Sequence, residues 1–160
     1  MIDGYSRTLA LVATVGAGVV GGAFFAFSAF VMNGLGRLTP AQGISAMQAI
    51  NKAAPTLWFM TALFGTAADC VALAVSTLGR LGEGPAVWEL VGSLLYLVAM
   101  VLTIAYHVPR NEALAVLDPD IEGAAAAWGR YLDEWTRWNH VRTLTAVAGS
   151  AVLALSLRAG

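Results

Sequence analysis

The chain has two histidines, and each stands among residues able to hold or activate a small molecule. His107 opens the run His107-Val108-Pro109-Arg110-Asn111, and His140 follows Trp138-Asn139 just before Arg142. A neutral imidazole makes a good base near working pH, because its ordinary pKa is about 6.5. Asn111, Asn139 and Arg142 are side-chain hydrogen-bond donors. Trp135 and Trp138 offer flat apolar surface, and Gln48 and Asn51 bring amides from a separate segment. The same residue types also cap helix ends and satisfy loop backbone, so the pattern alone leaves both uses open.

Helices that cross a bilayer must position these residues. Of 160 residues, 58% are hydrophobic and 12% charged, with a mean hydropathy of +0.70. Soluble domains carry about 25% charged residues. Four stretches, Thr8–Met32, Pro55–Leu78, Pro85–Tyr106 and Val141–Leu157, approach the roughly 20 apolar residues that span about 30 Å of hydrocarbon. The expected fold is all-α, a single domain over residues 1–160 built as a transmembrane four-helix bundle. The first stretch is too long for the apolar core of a signal peptide and is expected to be a retained helix.

An even number of spans puts both termini and the Gly79–Gly84 turn on one side, and the two longer connections on the other. Arg37, Lys52, Arg110, Arg130, Arg137 and Arg142 lie near the long-connection side, against Arg7, Arg80 and Arg158 opposite. The positive-inside rule would make the long connections cytoplasmic. In the first of them, Thr39-Pro40-Ala41-Gln42 combines a capping box with proline at the first helical position. A short amphipathic helix is expected there, with Ile44, Met47 and Ile50 on its apolar stripe. In the other, Asp118-Pro119 predicts the start of a long helix that runs into the fourth span.

Both histidines then fall at the long-connection face, together with Ser28, Asn33, Gln48 and Asn51. Helical phase separates some of them, since residues two apart point about 200° from each other. His140 and Arg142 cannot both face one pocket in a regular helix. Asn139 and Arg142 lie nearer the stripe of Trp128, Tyr131, Trp135 and Trp138, whereas His140 shares its face with Thr136, Thr143 and Val147. His107 has Tyr96 and Thr103 as face-mates, which marks it as the inward histidine. The aromatic stripe suits an interfacial belt or packing at least as well as a ligand wall.

Elsewhere the sequence points to structure. Asp69, inside the second span, reads as a buried structural group more readily than as part of a proton path. Glu89 is expected near the opposite interface. Gly18 and Gly22 in the first span have the spacing that lets a neighbouring helix approach. The single Cys70 excludes thiol-pair chemistry. A net charge of −1 gives no basis for nucleic-acid binding. The first span, Thr8–Met32, contains no acid, unlike small four-helix multidrug exporters.

Four runs together, Phe25-Ala26-Phe27-Ser28-Ala29-Phe30-Val31-Met32, Ala46-Met47-Gln48-Ala49-Ile50-Asn51, His107-Val108-Pro109-Arg110-Asn111 and Trp135-Thr136-Arg137-Trp138-Asn139-His140-Val141-Arg142-Thr143, resemble the anthrone oxygenase-like integral membrane family, in the same order along nearly the whole chain. The resemblance implies a four-helix membrane bundle, usually in a bacterial cell membrane. It also implies a monooxygenase, an oxidoreductase that converts an anthrone to an anthraquinone with O₂ and no added cofactor.

On that basis His107 and then His140 are the candidate catalytic bases. Asn51, Gln48, Asn111, Trp135, Trp138, Asn139 and Arg142 are the candidate substrate-binding residues. The expected partners are membrane lipid, a hydrophobic aromatic molecule and O₂, with a homo-oligomer left open. Two alternatives remain at this point. One is copper, iron or haem held by His107 and His140 with Asp133 or Glu134 completing the set. The other is a non-catalytic protein that binds a quinone-like molecule or packs against a partner.

Overall fold

The structure is a computed structural model describing residues 2–159. Four helices long and apolar enough to cross a membrane run over Gly4–Leu35, Leu57–Thr77, Gly84–Ala115 and Ala124–Ala159, and no strand occurs among the described residues. The first and third spans each pack against both the second and the fourth. The chain therefore goes round the bundle in sequence order, as short connections between antiparallel helices favour. The fourth span makes the closest interfaces, with the third and the first.

Glycine sets one of these approaches. A Cβ on Gly149 would stand 2.9 Å from the Gly92 carbonyl oxygen, and one on Gly92 would stand 3.0 Å from that of Gly149. The third and fourth helices thus meet backbone to backbone. In the first span the spacing-based expectation holds only in part. Gly18 comes close to Ser150 and Gly21 to Val147, but Gly22 has open space beside it.

The surface helix forms over Pro40–Ala53. Thr39 and Gln42 make both capping-box bonds, at 3.4 and 3.3 Å. Ile44 and Met47 are fully buried against Trp128, Trp135 and Leu114. This helix is therefore fastened over the long-connection end of the bundle.

Two expected boundaries are corrected. The third helix does not stop at Tyr106 but continues to Ala115, so His107 lies inside the helix instead of at its end. Proline at position 109 has no N–H and its ring crowds the carbonyl four residues earlier. A π-turn over Thr103–His107 directly before it widens the helix and lets it continue. The last helix starts at Ala124, not Pro119. The Asp118 carboxylate accepts from the Asp120 N–H at 3.0 Å, closing a local turn in place of a helix cap. Gly123 then adopts a positive φ of 87°.

Further π-turns occupy Phe27–Val31 and Thr61–Gly65. At or beside each of the three, a polar side chain from another span docks. Asn139 reaches the Phe24 carbonyl, Tyr96 the Leu63 carbonyl and Arg142 the Thr103 hydroxyl. At the far end of the bundle Glu89 is buried and bonded to Arg80 at 2.9 Å, with a second contact from Arg80 to the more exposed Glu83 at 3.2 Å. This agrees with an interfacial place for Glu89; burial works to lower the Arg80 pKa, and the hydrogen bonds and charges of Glu89 and Glu83 together outweigh it and raise the pKa above its ordinary value. Asp69 is half-buried, with Oδ2 unbonded.

Candidate functional site

The fourth span supplies the polar centre. Trp135, Asn139 and Arg142 occur at i, i+4 and i+7, so they share one helix face, and all three are buried. Asn139 Nδ2 donates to the Phe24 carbonyl at 2.9 Å and to Ser28 Oγ at 2.7 Å. Its Oδ1 accepts from Arg142 Nε at 2.8 Å. Arg142 Nη1 then reaches Thr103 Oγ1 at 3.3 Å across the bundle. Ser28 Oγ is also 3.2 Å from Thr143 Oγ1. First, third and fourth spans are thereby tied together, the first through the Asn139 amide and the third through the Arg142 guanidinium.

No carboxylate bonds Arg142 among the described residues. The four carboxylates in salt bridges among the described residues, Glu83, Glu89, Glu134 and Asp133, pair with Arg80, Arg110 and Arg137. Instead the guanidinium carbon lies 4.1 Å from the Phe24 ring centroid and 5.0 Å from that of Trp135. Aromatic faces attract a cation but do not neutralise it. A buried charge without a counter-ion is costly.

His107 is 1% exposed, and Arg142 is its electrostatic neighbour. The imidazole meets Trp135 edge to face at 4.9 Å and 77°, and Tyr106 at 5.4 Å and 73°. The Trp138 backbone approaches the ring but falls short of a well-formed hydrogen bond, and neither nitrogen has another partner among the described residues. A buried polar group without a partner calls for an explanation, and catalysis is a recurrent one.

Above His107 lies a second polar layer. Asn111 Oδ1 accepts from Tyr131 Oη at 2.8 Å and from Trp135 Nε1 at 2.9 Å. Asn51, from the surface helix, adjoins Tyr131 and leaves its buried Nδ2 unbonded. On the lipid side, Tyr106 separates His107 from Trp138, with ring centroids of Tyr106 and Trp138 5.0 Å apart. The Arg110 guanidinium carbon lies 3.4 Å over the Tyr106 ring and Nη2 is 3.6 Å from Glu134.

Among the residues singled out from sequence, the fold brings His107, Asn51, Asn111, Trp135, Asn139 and Arg142 to this end of the bundle interior, with Trp138 at its lipid-facing margin and 38% exposed. Gln48 is used differently. Its Nε2 donates to the Leu114 and Leu117 carbonyls at 2.9 and 2.8 Å, closing the C-terminal end of the third helix. His140 is exposed and lines an open groove with Ser28, Asn33, Arg130 and Arg137. The two histidines therefore do not meet. Helical phase foretold that division, since the buried Asn139 and Arg142 leave His140 on another face.

Among the described residues no three His, Cys, Asp or Glu side chains converge in a metal-like cluster. Asp133 is engaged by Arg137 at 3.0 Å and Glu134 by Arg110. Topology placed Ser28 at this face, but its bond to Asn139, and the parts played by Phe24 and Tyr131, were not apparent from sequence. Tyr131 at least belonged to the aromatic stripe, whereas a backbone carbonyl such as that of Phe24 leaves no signal in residue type.

A family model described as anthrone oxygenase matches residues 55–152, well over half of the chain. This segment holds His107, Asn111, Trp135, Asn139 and Arg142. No curated protein and no solved structure gives a match.

Proposed function

The chain belongs to the anthrone oxygenase family, and from that premise we propose that it is a membrane-embedded oxygenase using His107 as base and Arg142 as oxyanion partner. The substrate class is a planar, hydrophobic anthrone or related phenol. The observation that carries the proposal is the pairing of a buried imidazole without hydrogen bonds with a neighbouring buried guanidinium that bonds no carboxylate. Either group alone lowers stability. Together they suit a substrate that gives up a proton and becomes an anion.

The chemistry balances without a further reagent. Neutral His107 removes a proton from the methylene carbon opposite the anthrone carbonyl, and the negative charge delocalises onto the carbonyl oxygen beside Arg142. The anion gives one electron to O₂, and the radical pair combines to form a carbon–oxygen bond. The resulting peroxide takes the proton from His107. Loss of the second methylene proton with cleavage of the O–O bond leaves a new carbonyl and releases water. Anthrone plus O₂ thus gives anthraquinone plus H₂O, with one oxygen atom in each product.

Asn139 and Thr103 hold Arg142 in place and are positioning residues. Phe27, 5.6 Å from Trp135 between centroids, and Trp135 itself provide flat walls. Substrate enters from the side of Tyr106 and Trp138, the aromatic pair between His107 and lipid.

The test is O₂ uptake by the purified protein with an anthrone, together with product detection under ¹⁸O₂. One labelled oxygen per quinone, lost in His107→Ala, is expected. Absence of turnover combined with tight binding of the anthrone would replace the oxygenase with a binding protein. Stoichiometric metal in active protein would overturn the cofactor-free route.

A further inference from the structure

The open groove that contains His140 is unused by this chemistry. It lies between the end of the first span and the N-terminal part of the fourth, with a volume of about 850 Å³. Arg130, Arg137 and His140 line it together with Asn33 and Ser28. Its one acid, Asp133, is bonded to Arg137 at 3.0 Å, and Arg130 pairs with no acid among the described residues. The local balance therefore favours an anion.

The groove also continues into a surface made for hydrocarbon. On a regular helix Leu144 and Val147 follow His140 on the same face, and they are 69% and 46% exposed. On the first span Gly21 packs against Val147, and a Cβ added to the adjoining Gly22 would meet no atom within 4 Å. A polar, cationic mouth at the membrane interface thus leads to an apolar trough running toward the bilayer centre. Basic pockets in this position select anionic headgroups.

We propose that this groove binds an anionic phospholipid, its phosphodiester held by Arg130, Arg137 and His140 and one acyl chain lying in the trough beside Gly22. The headgroup would sit over Ser28, which accepts from Asn139 at 2.7 Å. Bound lipid would therefore buttress the Asn139–Arg142 arrangement from outside. The proposal is independent of the oxygenase chemistry, since it concerns a different cavity and needs no turnover.

Native mass spectrometry after extraction from nanodiscs of phosphatidylglycerol or of phosphatidylcholine tests it. One phosphatidylglycerol per chain should be retained, and phosphatidylcholine should not. Each lost arginine should lower retention about fivefold, so Arg130→Gln with Arg137→Gln should lower it about 25-fold. The Arg137–Asp133 pair is 71% and 75% exposed, so these substitutions leave the fold standing. Gly22→Leu puts a bulky side chain into the trough from a Cβ position that meets no protein atom and should also reduce retention, whereas Arg7→Gln at the opposite face should not. Equal retention of the two lipids, or retention unchanged by the arginine substitutions, overturns the proposal. Binding of a soluble aromatic carboxylate with no preference for phosphatidylglycerol would assign the groove to a small acid and likewise overturn it.

Discussion

Replacing His107 by phenylalanine should make the protein more stable and inactive. The imidazole is 1% exposed and its nearest polar contact, the Trp138 backbone, falls short of hydrogen-bond geometry, so the substitution breaks no well-formed bond. An unsatisfied buried polar group costs about 1–3 kcal/mol, and phenylalanine removes it. The two aromatic contacts, at 4.9 and 5.4 Å and nearly perpendicular, are geometries that a phenyl ring also favours. A net gain of about 1–2 kcal/mol follows after allowing for the slightly larger ring. For a chain of this size that corresponds to a rise of about 2–8 °C in Tm. Loss of a general base lowers turnover about 10²–10⁴-fold. Thermal unfolding in detergent, read by tryptophan fluorescence, and O₂ uptake with an anthrone measure the two effects on the same sample. A Tm that falls by several degrees would mean that the imidazole has a stabilising partner, and the reasoning from its isolation would fail. Activity retained within tenfold would remove His107 from the chemistry.

Other substitutions separate the remaining roles. Arg142→Met should lower turnover about 10²–10³-fold in the O₂-uptake assay while the chain still extracts as a folded species; near-normal turnover would dismiss the guanidinium as oxyanion partner. Asn111→Leu strips the acceptor from Tyr131 and Trp135, and a stability loss of about 1–3 kcal/mol should appear in detergent unfolding, with no loss if those bonds are dispensable. Gly149→Ala drives a methyl into the Gly92 carbonyl and should destabilise by about 1–3 kcal/mol, whereas Gly22→Ala should not destabilise at all. Gln48→Leu releases the Leu114 and Leu117 carbonyls, and hydrogen exchange should accelerate through residues 114–123 if the surface helix closes that end.

The sequence by itself determined the solvent, the number of spans and the capped surface helix. Each follows from a local property: apolar length against bilayer thickness, and the Thr39–Gln42 reciprocal cap. Helical phase also made His107 the inward histidine, and put Asn139 and Arg142 on a face that excludes His140. It did so because residue direction along a regular helix is periodic and needs no partner. What the sequence could not supply were the boundaries at Ala115 and Ala124. Proline 109 and Pro119 have the same local preferences, and only the π-turn before one and the Asp118 turn beside the other set them apart.

The partners across the bundle were equally hidden. Gln48 and Asn51 belong to one short helix and look alike in sequence. The fold spends Gln48 on two carbonyls and leaves the Asn51 donor free. Ser28 and the Phe24 carbonyl became part of the site only because Asn139 reaches them from 111 and 115 residues away. Whether a buried polar group is structural or available for chemistry depends on which of its hydrogen bonds are already made, and that is decided by neighbours distant in sequence. For His107 tertiary structure left both nitrogens unpaired beside an uncompensated arginine.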